Sequence, residues 1–462
     1  MIIGGLIMNI KKNDLFENTR PGKALAIMAL PTIASQMIVL IYNLADKWFI
    51  GRTEDPNKVG ASAIALSVYL IVTALANVFG VGGGSLMVRL VGEKKTDDAR
   101  KVASYSLAMA FISVVILSLL VLVIMNPLLR LLGADDTVIV YARQYVLMTT
   151  VIGGVPTVLS MCMPQLLRNA GYSKESGIGV GLGSIINIAL DPLFIFVIFP
   201  KGYEVLAAGF ATMLSSFISM AYFIVVFRRV RKDTVLVIPH KLEKISSEYM
   251  RSLYSVGIPA AVAIFFFDLV TIVFNKLAAD YGPDSLAAMG IVLTVERIPI
   301  NIGLGVCLGM VPLISYNYGA RNYERMRAFF KLSRNSIIIF SCVCAAIFWI
   351  MADPIVASFL KVDATVEYGV AFLRGRCFAL PFMMAGYLIV NYMNAVNRGK
   401  VSFLLAFIRH VVLIIPILLI MNAVMHLNGL IWSQLVADVI NTIVAVSLFL
   451  KLQAEIKRTV VE

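Results

Sequence analysis

The stretch GIGVGLGSIINIALDPLFIFVIF, residues 177–199, decides what kind of fold this chain has. It is apolar and long enough to cross a bilayer, for which about 20 residues suffice. Asn187 and Asp191 interrupt it, and their spacing of four places both side chains on one face of a helix. Pro192 has no N–H to donate to the carbonyl of Ile188, which leaves a free backbone acceptor one turn from the carboxylate. An ionisable group at this depth is costly, and it indicates an ion or substrate pathway.

The composition of the whole chain agrees with a membrane protein. The 462 residues are 60% hydrophobic and 15% charged, with a mean hydropathy of +0.87, which excludes an ordinary soluble globular protein. The five cysteines all fall in apolar runs without a CxxC or Cys/His cluster, so we predict neither a disulfide nor a metal centre. We also expect no cofactor, because no cofactor-binding motif is present.

Apolar segments of spanning length recur along the chain and predict an all-α, polytopic protein with twelve transmembrane helices. The segments lie near residues 24–50, 58–86, 102–125, 138–163, 176–199, 205–227, 253–278, 285–313, 332–352, 367–394, 401–425 and 428–450.

Lys and Arg residues concentrate in alternate loops, starting with the N-terminal segment. By the positive-inside rule, this pattern predicts a multi-pass protein with both termini in the cytoplasm. The net charge of +13 is then a topology signal, and we expect no nucleic-acid partner. The three tryptophans fall at the outer ends of predicted helices, as an aromatic belt requires: Trp48, Trp349 and Trp432.

The two halves of the chain repeat at a nearly constant offset. Four pairs of similar segments show it, beginning at Ala29 and Gly257, at Gly92 and Gly319, and at Gly133 and Lys361, with the fourth ending at Gly171 and Gly399. Because each half holds six predicted helices, an even number, the halves have the same orientation in the membrane. Two such bundles around a central cavity are typical of an alternating-access transporter.

The repeat and the charge pattern together set the predicted domain boundaries. We predict a cytoplasmic N-terminal segment 1–23, an N-lobe 24–228, a cytoplasmic linker 229–250, a C-lobe 251–450 and a cytoplasmic C-terminus 451–462. No enzyme motif is present. The run GVGGGS near Gly83 lacks the strand and the lysine of a phosphate loop, so we expect transport to be driven by an ion gradient rather than by ATP.

Four polar residues of the predicted N-lobe lie at similar depths in the outer half of the membrane: Asp46, Asn187, Asp191 and Thr212. Carboxylate, amide and hydroxyl oxygens suit a proton or a small cation such as Na⁺. We therefore predict a cation-coupling site here, with no other metal. Two plainer interpretations stay open, in which Asp46 is an interfacial residue beside Lys47 and Asp191 caps the break at Pro192. Pro31 and Pro192 are the predicted hinges.

The predicted C-lobe carries both acids and arginines within its helices. They either form a structural charge network or place an acid in the cavity, where it would attract a cationic substrate. The candidate cavity residues are Asp268, Glu296, Asp438 and Asn301, and the basic residues nearby are Arg297, Arg409 and His410.

Four motifs resemble the multidrug and toxic compound extrusion (MATE) family over nearly the whole chain, and the form of the last one, PLISYNYGARN, is similar to that of its bacterial drug-exporter branch. They are NLAD ending at Asp46, LLRNAG ending at Gly171, NIALDPLFI from Asn187 and PLISYNYGARN from Pro312. The resemblance implies two six-helix lobes, proton- or sodium-driven antiport of amphipathic organic cations, and a cation site on Asp46, Asn187, Asp191 and Thr212. The chain departs from the family in one respect. Members with a C-lobe coupling acid carry Glu where Phe267 stands here, with Asp268 next to it.

The resemblance therefore implies a monomeric drug exporter of the bacterial inner membrane, without an obligate protein partner. The alternative on the same superfamily fold is a flippase for lipids or lipid-linked oligosaccharides. A flippase should line its cavity with cations that hold pyrophosphate, and the candidate residues are Arg297, Arg374, Arg376 and Arg409. A membrane transferase is a weaker alternative, since the pair Asp97 and Asp98 is the only hint of an acidic metal motif at the surface.

Overall fold

A computed structural model describes residues 12–53 and 55–461, and within them the chain is helical without a β-strand. Ten helices of the described chain are long and apolar enough to cross a membrane, and two bent helix pairs bring the number to twelve if each pair is one span. The predicted all-α, multi-pass architecture is therefore confirmed.

The spans, named here by their order in the chain, are Pro21–Gly51, Pro56–Gly92, Thr96–Leu131, Val138–Ile152 with Gly154–Asn169, Ser173–Ile198, Glu204–Val230, Ser247–Ala279, Pro283–Gly319, Tyr323–Ile350, Asp363–Cys377 with Leu380–Ala395, Gly399–Met425 and Leu427–Val461. Short helices at Lys12–Glu17 and Ala352–Ala357 lie outside these spans. Three stretches are wound as π-helix: Leu147–Ile152, Phe194–Ile198 and Ile408–Ile414.

Local sequence signals explain where several spans begin and end. The Asp55 carboxylate caps the second span by accepting from the backbone N–H of Asn57 at 3.0 Å, and Pro56 occupies the first helical position. Gly171 ends the fourth span with a φ of +86°, which glycine adopts without strain. The span boundaries thus follow from caps and turns as well as from hydropathy.

The internal repeat is visible in the backbone itself. The fourth and tenth spans are both bent, by 56° and 50°. Lys94 and Arg321 stand at equivalent positions of the repeat, directly after the second and eighth spans, and both take a left-handed φ, of 63° and 55°. A non-glycine residue with positive φ is uncommon, so its recurrence at the repeat offset indicates that the two lobes share one backbone design.

Glycines join the two lobes at one end of the bundle. This end, called the basic end, carries Lys12 and Val461 together with the loops rich in Lys and Arg. A Cβ on Gly257 of the seventh span would clash with the backbone oxygen of Val78, and one on Gly309 of the eighth span would stand 2.6 Å from the Cα of Ala29. Such approaches need a residue without a side chain. The first and second spans are therefore sealed against the eighth and seventh at the basic end.

The short helix Lys12–Glu17, called the N-terminal latch, reinforces this seal. The ring of Phe16 stacks on that of Tyr316 at 4.8 Å between centroids. The Tyr316 hydroxyl and the Lys94 ammonium donate to Glu17 Oε1 at 2.5 and 3.0 Å, and these two bonds lower the pKa of Glu17. Arg325 donates from Nε to the carbonyl of Phe16 at 2.6 Å. The latch therefore ties the start of the first span to the eighth and ninth spans.

Gly257→Ala is expected to open the basic end. Its Cβ would overlap the Val78 carbonyl, and overpacking of this kind costs about 1–3 kcal/mol, so the labelling of a buried thiol at the seal should accelerate about tenfold or more. The thiol is introduced as Ser315→Cys, since Ser315 is fully buried and donates to the carbonyl of Ala395. Labelling of the purified protein by a hydrophilic maleimide is followed over time.

The matched control is Gly290→Ala in the eighth span, because a Cβ at Gly290 meets no atom within 4 Å. Equal labelling rates in the two variants would contradict the assignment of the glycines to the seal.

Candidate functional site

The fifth span changes its winding directly after the acidic residue. It is an α-helix over Ser173–Leu193 and a π-helix over Phe194–Ile198, with Pro192 at the junction. The missing N–H of proline and the wider turn that follows both loosen the backbone hydrogen-bond ladder here. Asn187 and Asp191 face inward, with exposed fractions of 1% and 0%, so neither side chain is offered to lipid.

Asn187 connects the carboxylate to the sixth span. With its amide nitrogen turned toward the acid, Asn187 donates to Asp191 Oδ2 at 3.1 Å and accepts from the backbone N–H of Thr212 at 3.1 Å. The Thr212 hydroxyl donates to the carbonyl of Ala208 at 3.1 Å. The other carboxylate oxygen, Asp191 Oδ1, is buried and has no hydrogen-bond partner in the described part of the chain. The site therefore holds the acid in place while leaving one of its oxygens unsatisfied.

Asp46 of the first span completes the polar group. It is half-buried and lies within electrostatic range of Asp191. The hydroxyls of three tyrosines also lie within electrostatic range of Asp46: Tyr42, Tyr69 and Tyr145. The structure thus brings Asp46, Asn187, Asp191 and Thr212 into one region of the N-lobe.

The chemistry of this group is that of hard oxygen donors. Two carboxylates close enough to interact favour the binding of a proton or a small cation between them, because like charges repel. No three His, Cys, Asp or Glu side chains of residues 12–53 and 55–461 gather as a site for a metal ion.

Two adjoining cavities lead to the polar group. The N-lobe cavity, of about 400 Å³, is lined by Thr212 and other residues of the first, second, fourth, fifth and sixth spans, and by Leu308 of the eighth. The interlobe cavity, of about 250 Å³, lies between the lobes. The two share five lining residues: Asn77, Val81, Gln165, Arg168 and Leu308. A molecule that enters between the lobes can therefore approach Thr212, next to Asn187 and Asp191.

The first span runs as a continuous helix through Pro31. Ser173 of the fifth span donates to the carbonyl of Met28 at 2.6 Å, and Gly177 lies against the Pro31 carbonyl, where a Cβ would stand at 2.7 Å. The first and fifth spans are thus fastened together beside Pro31. The hinge roles of Pro31 and Pro192 stay predictions.

In the C-lobe, Glu296 is held by an arginine. Arg376 donates from Nε and Nη2 to the two oxygens of Glu296, at 2.8 and 2.9 Å. The side chains of the pair are only 5% and 7% exposed. They line a small cavity of about 50 Å³ together with Arg297. Glu296 is therefore half of a buried ion pair instead of a free carboxylate facing a substrate.

Asp438 is bound in a similar way. Arg409 donates to its two oxygens at 2.7 and 3.3 Å, and Gln434 donates to Oδ2 at 2.5 Å. Arg409 also donates to the hydroxyl of Tyr387 at 3.1 Å. Asp438 is fully buried, so its charge is balanced inside the C-lobe.

The other two C-lobe candidates for the substrate cavity are Asn301 and Asp268. Asn301 is half-buried and donates to the carbonyl of Arg297 at 2.8 Å, one helical turn away. Asp268 lies on the seventh span, Ser247–Ala279, and its side chain lies outside the described residues.

Comparison with known proteins decides the family. The sequence pattern of the MatE family matches residues 31–193 and 259–420. The chain belongs to the MatE family. The two matches begin at Pro31 and Pro259, which are equivalent positions of the internal repeat. The MatE assignment makes the chain a multi-pass membrane transporter, as the motifs predicted.

Relatives of this MatE chain cover nearly its full length. The multidrug export protein MepA of Staphylococcus aureus strain NCTC 8325 is 29% identical over 425 residues, 92% of each chain. MepA of strain MRSA252 is 30% identical over 425 residues, also 92% of each. MepA of Staphylococcus saprophyticus is 27% identical over 432 residues, 93% of this chain and 94% of that protein.

Solved structures share the MatE fold. A MATE protein in its straight conformation matches with a TM-score of 0.90 at 22% identity, covering 98% of this chain and 100% of that one. An outward-facing multidrug resistance MATE transporter of the MOP superfamily matches with a TM-score of 0.87 at 23% identity, covering 98% and 99%. The predicted two-lobe repeat fold is confirmed.

Sequence reasoning did not find the partners of the C-lobe acids in this MatE chain. Glu296 of the eighth span precedes Arg297 but pairs with Arg376 of the tenth span. Asp438 of the twelfth span pairs with Arg409 of the eleventh. The only available signal was charge balance, since a buried acid needs a cation nearby. Spacing along the chain carried no information about which cation that is.

Glu296→Met is expected to destabilise the protein by about 3–5 kcal/mol, because it leaves Arg376 buried without a counter-charge. The double variant Glu296→Met with Arg376→Met should recover most of this loss, since it removes both charges together. Thermal unfolding of the purified protein in detergent measures both effects.

The control is Arg374→Ala, which breaks an exposed pair with Asp353 and should cost no more than about 1 kcal/mol. A double variant that is less stable than the single variant would show that the pair is not a structural element of this kind.

Proposed function

We propose that this transporter is a cation-coupled antiporter that exports amphipathic organic compounds, mostly cations, by alternating access. The observation that carries the proposal is the buried Asp191 carboxylate. One of its oxygens has no hydrogen-bond partner among the residues that the structure describes, and the second acid, Asp46, lies in electrostatic range. An intramembrane acid without an arginine partner is the group expected to exchange an ion. The names of the MepA relatives, multidrug export proteins, support export of drugs.

The coupling ion is H⁺ or Na⁺. Either ion would enter from the side opposite the seal and bind at Asp191 with Asp46, Asn187 and Thr212 as neighbouring groups. Thr212 lines the N-lobe cavity, so a cationic substrate in this cavity would be attracted by the same two carboxylates. Coupling then arises because ion and substrate compete for one negative charge, and each lowers the affinity for the other.

We propose that the basic end faces the cytoplasm, which places both termini inside a cell membrane. The loops at this end carry most of the Lys and Arg residues, as the positive-inside rule requires. Since the lobes are sealed at that end, this conformation would accept ions from outside the cell and release substrate there. We take the working unit to be a monomer.

The flippase alternative is less favoured. A cavity that holds a pyrophosphate needs arginines whose charge is not already balanced. Three of the four candidates hold acids: Arg374 pairs with Asp353, Arg376 with Glu296 and Arg409 with Asp438. The fourth candidate, Arg297, lines the small C-lobe cavity with the paired Glu296 and Arg376, and not the interlobe cavity.

Asp191→Asn is expected to reduce gradient-driven export of a cationic dye by about tenfold or more, the size of a typical coupling free energy. The change keeps the shape of the side chain and removes its charge. Export is measured in proteoliposomes with an imposed proton gradient or an imposed sodium gradient. The gradient that drives export by the wild-type protein but not by Asp191→Asn also identifies the coupling ion.

Asp136→Asn serves as the control, because Asp136 pairs with Arg130 on an exposed loop far along the chain from the site. Undiminished export by the Asp191→Asn protein, at equal reconstitution, would refute the assignment of Asp191 to coupling.

A further inference from the structure

A cavity of about 720 Å³ lies at the basic end and takes no part in the proposed coupling. This basic-end cavity is lined by both lobes: by the end of the second span and the turn after it, by the seventh and eighth spans, and by the turn that leads into the eleventh. Its lining contains two acidic residues and five basic ones, and the basic ones are Arg89, Lys95, Arg251, Arg398 and Lys400. The excess of positive charge indicates an anionic ligand.

The two acids of the lining, Glu93 and Glu248, lie beside the basic residues of the N-lobe. Glu93 Oε2 is 2.8 Å from Lys95 Nζ, and Glu93 Oε1 is 3.8 Å from Arg89 Nε. Glu248, in the first turn of the seventh span, lies within electrostatic range of Arg89. The negative charge of the lining is therefore concentrated around Arg89 and Lys95.

Two cations on the C-lobe side of the cavity are not balanced in this way. Arg251 and Lys400 are exposed, and neither side chain makes a hydrogen bond or an ion pair with any residue that the structure describes. Arg398 differs, because it pairs with Glu455 at 3.0 Å. Glu248 is three residues before Arg251, but the described chain contains no ion pair between them. Arg251 and Lys400 are thus available to an anion that enters the cavity.

A chain of hydrogen bonds in the lining adds a neutral donor. Arg89 donates to Ser252 Oγ at 2.9 Å, and Ser252 donates to Asn397 Oδ1 at 2.7 Å. The amide oxygen of Asn397 is therefore already used, and its Nδ2 has no acceptor among residues 12–53 and 55–461. An ionised phosphate offers only acceptors, so it complements a site whose unpaired groups are the donors of Asn397, Arg251 and Lys400.

Exposed apolar residues follow both unpaired cations along their helices. Ile258 is 50% exposed and lies two turns after Arg251, on the same face of the seventh span. Leu404 is 46% exposed and lies one turn after Lys400, on the same face of the eleventh span. The seventh and eleventh spans pack side by side. Cations at the helix ends with apolar residues next to them match the headgroup and the acyl chains of a phospholipid.

We propose that the basic-end cavity binds the phosphodiester headgroup of an anionic phospholipid. Arg251, Lys400 and Asn397 Nδ2 hold the phosphate, and the acyl chains lie along the seventh and eleventh spans beside Ile258 and Leu404. A soluble phosphate has the same charge but no acyl chains, so the apolar residues favour the lipid. The inference does not rest on coupling at Asp191, because it uses neither the coupling acids nor the cavities next to them.

The test compares two fluorescent lipids with the same labelled acyl chains: anionic phosphatidylglycerol and zwitterionic phosphatidylcholine. Dissociation constants are measured by fluorescence anisotropy on the full-length protein in a neutral detergent. The wild-type protein should bind phosphatidylglycerol more tightly. In the double variant Arg251→Gln with Lys400→Gln, this preference, expressed as the ratio of the two dissociation constants, should fall by about tenfold or more, because each basic residue contributes about fivefold to the binding of an anionic headgroup.

Two further double variants make the result specific. Arg228→Gln with Arg229→Gln also removes two exposed cations, at the end of the sixth span and outside the lining of the cavity, and it should leave the ratio unchanged. Arg251→Lys with Lys400→Arg keeps both charges and should keep most of the preference. Thermal unfolding of each variant shows whether the protein remains folded.

Inorganic phosphate distinguishes a lipid from a soluble anion. An excess of it should leave phosphatidylglycerol bound, in comparison with chloride at the same ionic strength. Displacement by phosphate alone would assign the cavity to a soluble phosphate and overturn the proposal of a lipid.

The proposal is also overturned if the wild-type protein binds the two lipids equally, or if Arg251→Gln with Lys400→Gln leaves the ratio unchanged. An equal loss of preference in Arg228→Gln with Arg229→Gln would overturn it as well, since any cation at the basic end would then serve. These measurements use no ion gradient and no coupling residue, so their failure would leave the proposed antiport intact.

Discussion

The burial of the Asp191 carboxylate inside the N-lobe is the constraint on which the rest of the site depends. An ionised carboxylate away from water is costly unless it is paired or hydrogen-bonded, and among residues 12–53 and 55–461 only one of the two Asp191 oxygens has a hydrogen-bond partner. Asn187 fixes that bond and is itself held by the backbone of Thr212. The close contact of the first and fifth spans near Pro31 keeps Asp46 in range. The site thus consists of hydrogen-bonded neighbours around one incompletely satisfied acid.

The two lobes share a backbone but use their charges differently. In the C-lobe, Glu296 and Asp438 each accept two hydrogen bonds from an arginine, so the charge of each acid is balanced within the lobe. In the N-lobe, Asp191 has a carboxamide and a second acid as its neighbours. The proposed coupling would then use only the N-lobe of a near-symmetric fold, because the acids of the C-lobe are already paired. The departure from the family pattern at Phe267 is consistent with this division.

The fold was largely predictable because its signals are local or periodic. Hydropathy located the spans, and the offset between Pro31 and Pro259 located the repeat, since both are properties of the chain read in order. The shared face of Asn187 and Asp191 followed from their spacing of four. The pairing of Glu296 with Arg376 could not be predicted, because it depends on how the eighth and tenth spans are rotated against each other. The position of Arg168 in the lining of both cavities was missed for a related reason, because it too depends on how the spans pack.

Competition between ion and substrate at Asp191 is the central claim, and equilibrium binding tests it most directly. The dissociation constant of a cationic dye is measured on wild-type and Asp191→Asn protein in nanodiscs over a series of pH values and Na⁺ concentrations. If ion and substrate compete at Asp191, the wild-type protein should bind the dye more weakly as the concentration of the coupling ion increases, and dye binding by Asp191→Asn should not change with that concentration. An ion dependence that is equal in both proteins, or absent from the wild type, would contradict competition at Asp191.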